Sequence, residues 1–98
     1  MIVRIVQMSF REEEVKNFLV LFNERKQRIR YFDGCHQLEL LQDANHSNIY
    51  FTYSIWESEK HLDHYRFSAL FKDTWTKTKV LFNNKPQAWS LNSNGKVE

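Results

Sequence analysis

The segment SIWESEKHLDHYRFSALF, Ser54–Phe71, gathers Trp56, Ser58, His61, Asp63, His64 and Tyr65 into a short stretch. Metal binding, acid–base chemistry and the start of a helix all compete to explain it. His61 and His64 are spaced i, i+3 and can share one edge of a metal ion, but a zinc-type site needs at least three converging ligands. His46 sits in a polar turn and Asp63 on another sector of the helix, so no third ligand follows and no metal site is expected. With Leu62, Tyr65 and Ala69 as the inward stripe of a helix, His61 lies about 80° from its centre and His64 about 140° away. His61 is then a boundary residue, His64 a solvent-side residue and Ser58 the N-cap.

The strand entering this segment, IYFTYSIW, places Tyr50, Thr52, Ser54 and Trp56 on one side and Ile49, Phe51, Tyr53 and Ile55 on the other. The first set alternates hydroxyls with aromatics. It fits either a sheet surface with satisfied hydroxyls or the wall of a pocket with a few orienting polar groups. Cys35 reads as a small buried hydrophobe, having no adjacent positive partner to activate a thiolate. No nucleophile elbow accompanies the serines and histidines, which argues against Ser/His/Asp catalysis.

The elements that hold these residues follow from pattern. MIVRIVQMSF is a short strand rich in Val and Ile, apolar on both faces. Glu12, Glu13 and Glu14 open a helix, and Arg25, Lys26, Arg28 and Arg30 close it as a solvated basic end. Between them Val15, Phe18, Leu19, Phe22, Ile29 and Phe32 keep helical spacing, and DGC at Asp33–Cys35 supplies the stop. CHQLELLQD and IYFTYSIW form a hairpin about ANHSN. A helix capped by Ser58 breaks near Ser68, which caps a second helical segment carrying Phe71, Trp75 and Phe82. QAWSL is a last short strand.

Strand, helix, strand, strand, helix, strand is the split βαβ order of a ferredoxin-like α+β sandwich. Residues 1–92 are expected to form one domain, with a polar tail over 93–98. Neither face of the first strand is polar, so the sheet face away from the helices needs a cover, and a second copy of the sheet supplies it. A homodimer is expected.

Fourteen basic against twelve acidic residues are too balanced for an electrostatic grip on nucleic acid or anionic lipid. One cysteine, no secretory leader and no spanning segment point to a cytoplasmic protein.

FDGC, IYFTYSIWES, EKHLDHYRFSALF and KPQAWSL together resemble the antibiotic biosynthesis monooxygenase family of dimeric α+β barrels. The similarity spans nearly the whole chain, and its most distinctive part is Trp56, Glu57, Ser58, Leu62, Tyr65 and Ser68. The resemblance implies several activities: oxygenation of electron-rich phenols or quinols without a cofactor, haem degradation, or modification of small signalling molecules. Where the quinone-forming branch carries an asparagine and a tyrosine, this chain has Thr52 and Leu62; Trp56 matches, with Tyr65 one helical turn later as a substitute. Where the haem-degrading branch carries an asparagine, a tryptophan and a histidine, this chain has Gln7, Tyr65 and Trp75, so the proximal iron ligand is missing.

The resemblance therefore implies a monooxygenase with no prosthetic group, acting on an aromatic or quinol-like small molecule. In that reading His61 or His36 is the base, Tyr65, Thr52 and Gln7 are donors, and Trp56 is a stacking wall. A non-catalytic small-molecule-binding or stress-related barrel is the alternative, and a haem-binding variant comes after it.

Overall fold

The computed structural model describes residues 1–98. It runs β1 (Ile2–Ser9), a 3-10 turn (Glu12–Glu14), α1 (Val15–Arg30), β2 (Cys35–Gln42), β3 (Ile49–Trp56), α2 (Glu59–Arg66), α3 (Ala69–Lys79) and β4 (Gln87–Leu91). The four strands form one sheet in the order β2-β3-β1-β4, every neighbouring pair antiparallel. With β1 and β2 separated by β3, this is the ferredoxin-like split βαβ arrangement.

Local chemistry sets the element ends. The 3-10 turn takes the three glutamates, and the last turn of α1 carries Arg28 and Arg30. Arg25 differs from the solvated end expected of the basic cluster: it is only 5% exposed. Two turns after Phe18, it stays on the core-facing stripe, where a bare guanidinium would be costly. Its Nη1 lies 2.7 Å from Asp73 Oδ2 and donates to Thr74 Oγ1 at 3.0 Å, clamping α1 to α3.

The turn after α1 is fastened to the start of α2. Gly34 has φ +87°, and a Cβ there would stand 2.5 Å from His61 Cβ and 2.6 Å from its Cγ. Its carbonyl accepts the Glu57 N–H at 2.7 Å. Ser58 Oγ then caps α2 by accepting the His61 N–H at 3.2 Å, and Ser68 Oγ caps α3 by accepting the Phe71 N–H at 3.1 Å. Ala69, expected on the inward stripe, is exposed, because the break at Ser68 restarts the helical phase; Phe71 and Trp75 turn inward instead.

Register sorts the sheet faces. Ile2, Arg4, Val6 and Met8 pair with Trp56, Ser54, Thr52 and Tyr50, and this set faces the helices. The core forms two clusters at opposite ends of that face: Ile2, Cys35, Trp56 and Leu62 at one, and Met8, Phe10, Phe18 and Tyr50 at the other. The opposite face presents Val3, Ile5, Phe51, Tyr53 and Ile55, with Trp89 and Leu91 beside them on β4. Trp89 is 40% and Leu91 45% exposed, so this apolar face has no layer over it within the chain. Residues 92–98 are exposed and form no regular element. No helix is long and apolar enough to cross a membrane.

Candidate small-molecule site

Between the two core clusters the sheet carries small or polar side chains, Thr52 and Ser54 on β3 opposite Val6 and Arg4 on β1, and Thr74 and Thr78 face them from α3. Such residues do not fill the gap between sheet and helices. A cavity of about 330 Å³ results. Its wall is aromatic: Trp56 and Tyr65 stack with centroids 4.9 Å apart and planes 24° off parallel, and Phe71 and Trp75 stack at 5.9 Å and 11°. Tyr65 links the two pairs by an edge contact to Phe71 at 5.2 Å. All residues of β4 are exposed, and Gln87 and Ala88 line the cavity together with exposed Arg66, which puts its mouth on the β4 side.

The polar groups are few and placed by specific bonds. Trp56, 1% exposed, donates its Nε1–H to Ser54 Oγ at 2.9 Å, and Ser54 Oγ–H reaches the Arg4 carbonyl at 3.4 Å. The indole is thereby held as a wall with its donor already occupied. Arg4 Nη1 donates to Ser90 Oγ at 3.0 Å. Burial, and then the nearby Arg66 charge, lower the Arg4 pKa, with Asp63 opposing them. Burial also pushes the Tyr65 phenol well above its usual value, so at neutral pH its hydroxyl is a hydrogen-bond donor and not a base. Cys35 is buried and its thiol is pushed up by the same cause, which leaves it a poor nucleophile.

Of the residues expected at a site, Trp56, Thr52 and Tyr65 line this one cavity. The other three lie outside it. Gln7 belongs to the opposite phase of β1, in register with Phe51 and Gln87, and so sits on the uncovered face of the sheet. His36 is exposed at the irregularity between Cys35 and Gln37, its Nε2 2.8 Å from Glu57 Oε1. His61 packs against Gly34, and its Nδ1 lies 2.8 Å from Ser58 Oγ, which ties the ring to the helix cap. His64 is exposed against the Phe32 ring at 5.5 Å. No three His, Cys, Asp or Glu side chains converge as a metal-ligand group.

Arg4 was not among the expected site residues. One signal did mark it: a lone cation in phase with Ile2, Val6 and Met8, on a strand whose remaining in-phase residues are apolar.

A model of the antibiotic biosynthesis monooxygenase family matches residues 1–77. The chain belongs to the antibiotic biosynthesis monooxygenase family. Solved structures agree on the fold of this family member. A crystal structure described as an antibiotic biosynthesis monooxygenase superposes with a TM-score of 0.91 at 16% identity, covering 97% of this chain and 100% of that one. A conserved protein from Methanosarcina mazei Go1 gives 0.89 at 18% identity over 96% and 94%. Rv0793 from Mycobacterium tuberculosis gives 0.89 at 16% over 99% and 98%. At these identities the likeness speaks to the fold alone. No curated protein matches the sequence.

Within this antibiotic biosynthesis monooxygenase family member, the haem-degrading arrangement does not fit the residues present. Gln7 faces away from the helices, and the cavity is lined by neither histidine nor cysteine.

Proposed function

We propose that this family member is a monooxygenase that takes an aromatic, quinol-like small molecule into the cavity between sheet and helices and oxygenates it without a prosthetic group. The observation that carries the reading is the aromatic cavity itself, walled by Trp56, Tyr65, Phe71 and Trp75 with Thr52 as a hydroxyl donor. Such a lining suits a planar aromatic ligand and excludes water from it. An electron-rich polycyclic phenol or anthrone with an unsubstituted ring carbon opposite its oxygen, once deprotonated, reduces dioxygen itself; one oxygen atom becomes a carbonyl on that carbon, and the other leaves as water with the two hydrogens the substrate gives up. The chain then has to orient the ring by stacking and to place donors, the Tyr65 and Thr52 hydroxyls, where oxyanion charge develops.

The working unit in this reading is a homodimer. Val3, Ile5, Phe51, Tyr53 and Ile55 form an apolar sheet face of the kind that a second sheet covers.

Oxygen uptake with a panel of para-unsubstituted naphthols and anthrones tests the activity. Thr52→Leu, which narrows the cavity and removes a hydroxyl donor from its wall, is expected to lower uptake at least tenfold without loss of the folded state. Uptake that Thr52→Leu leaves unchanged would place the chemistry elsewhere.

One observation favours a second reading, a non-catalytic small-molecule-binding barrel: no carboxylate or imidazole lines the cavity to act as a base. Saturable binding of an aromatic ligand with no oxygen uptake from any member of the panel would select it.

A further inference from the structure

The cavity carries charge of one sign. None of the residues that line it from α1, β2, α3 or β4 is ionisable. The ionisable groups in its lining are Arg4 on β1 and Tyr65 and Arg66 on α2. Arg4 is half-buried, makes no ion pair, and has a neutral hydroxyl, Ser90 Oγ, as its side-chain partner. A guanidinium offers five N–H donors, and removing one from water without a counter-anion is unfavourable. Arg66 has one carboxylate at long range, Asp63 Oδ1 at 3.8 Å, with both side chains about half exposed. Of the two guanidiniums beside the aromatic wall, Arg4 therefore has no carboxylate partner and Arg66 has one, loosely held.

We propose that the cavity recognises its ligand as an anion, an aromatic ring bearing an ionised phenolic or enolic oxygen directed at Arg4 and Arg66, and that these two arginines promote ionisation by their charge, the proton leaving to water without a protein base. The inference rests on the cavity being the ligand site. It explains how a site without carboxylate or imidazole can work on a phenol: opposite charge within about 4–6 Å lowers the pKa of an acid by about 1–3 pH units. A guanidinium also presents paired N–H groups in the plane in which a ring-bound oxyanion lies. Stacking on Tyr65 and Trp75 then supplies binding that is indifferent to charge.

The probe is 4-nitro-1-naphthol, whose phenolate absorbs visible light, together with its methyl ether, which cannot ionise. In the wild-type protein the bound naphthol is expected to titrate at least one pH unit below the free molecule. Arg4→Met is expected to abolish most of that shift and Arg66→Met part of it, while Arg4→Lys retains most of it. The methyl ether is expected to bind wild type and Arg4→Met within a factor of about two of each other. Circular dichroism checks that Arg4→Met is folded, and Arg66→Met, at a surface position, carries the test if it is not. A naphthol that binds with an unshifted or raised pKa, or a shift that persists in both arginine-to-methionine variants, overturns the proposal. Binding of the ether with no preference for the phenolate would leave the cavity reading standing and sink this one alone; binding of neither probe would overturn both.

Discussion

Gly34→Ala tests the coupling between the turn after α1 and the helix that carries Tyr65. Two independent terms oppose an alanine at this position. The backbone sits at φ +87°, where an L-residue costs about 1–2 kcal/mol relative to glycine. The new Cβ would also stand 2.5 Å from His61 Cβ and 2.6 Å from Cγ and Cδ2, against an ordinary carbon–carbon contact of about 3.5–4.0 Å. Opening that gap moves the first turn of α2, and overpacking of this kind costs about 1–3 kcal/mol.

The sum is about 2–5 kcal/mol, or a fall in Tm of at least about 8 °C for a domain of this size. Urea denaturation of wild type, Gly34→Ala, His61→Gly and the double variant separates the terms. In the double variant all three close contacts disappear and the backbone term remains, so a coupling of about 1–3 kcal/mol is expected. A loss below about 1 kcal/mol for Gly34→Ala, or additivity within about 0.5 kcal/mol, would mean that the turn and α2 are not coupled through this contact.

Other expectations follow from the same geometry. Ser54→Ala removes the acceptor of the buried Trp56 N–H and is expected to cost about 1–3 kcal/mol, toward the lower figure if cavity water takes over as acceptor; calorimetry measures it. Tyr65, with its folded pKa raised, keeps its proton where the unfolded phenol loses it, so the unfolded state binds fewer protons above about pH 10. Stability contributed by this residue is full below that pH and is lost as pH rises beyond it, and Tyr65→Phe should flatten the alkaline decline in Tm. Phe51→Glu puts a charge on the uncovered sheet face and is expected to shift sedimentation from twice the monomer mass to the monomer.

Much of this architecture is legible in the sequence because single residues carry it. Ser58 and Ser68 each cap a helix, DGC stops α1, and the alternation in IYFTYSIW sorts Trp56, Ser54, Thr52 and Tyr50 onto the helix side. The site is less legible, since its residues converge through register and not through spacing along the chain. Parity within β1 puts Arg4 in the cavity and Gln7 outside it, and which parity faces the helices is decided by how α1 and α3 pack. His61 illustrates a second limit. Its angular position on α2 is compatible with a boundary role, but the approach of Gly34, distant in sequence, turns it into a packing residue. Arg25 is the same lesson in reverse: a basic residue among basic residues becomes buried because Asp73, on another helix, meets it.

Isotope incorporation separates oxygenation of a bound ring from its simple oxidation. An anthrone or para-unsubstituted naphthol that supports oxygen uptake is incubated with purified protein under ¹⁸O₂, with and without a strong chelator, and the product is weighed by mass spectrometry. One ¹⁸O atom is expected in each quinone, at a rate the chelator does not change and Thr52→Leu suppresses. Product that carries no ¹⁸O, or turnover that vanishes with the chelator, would contradict oxygenation without a prosthetic group.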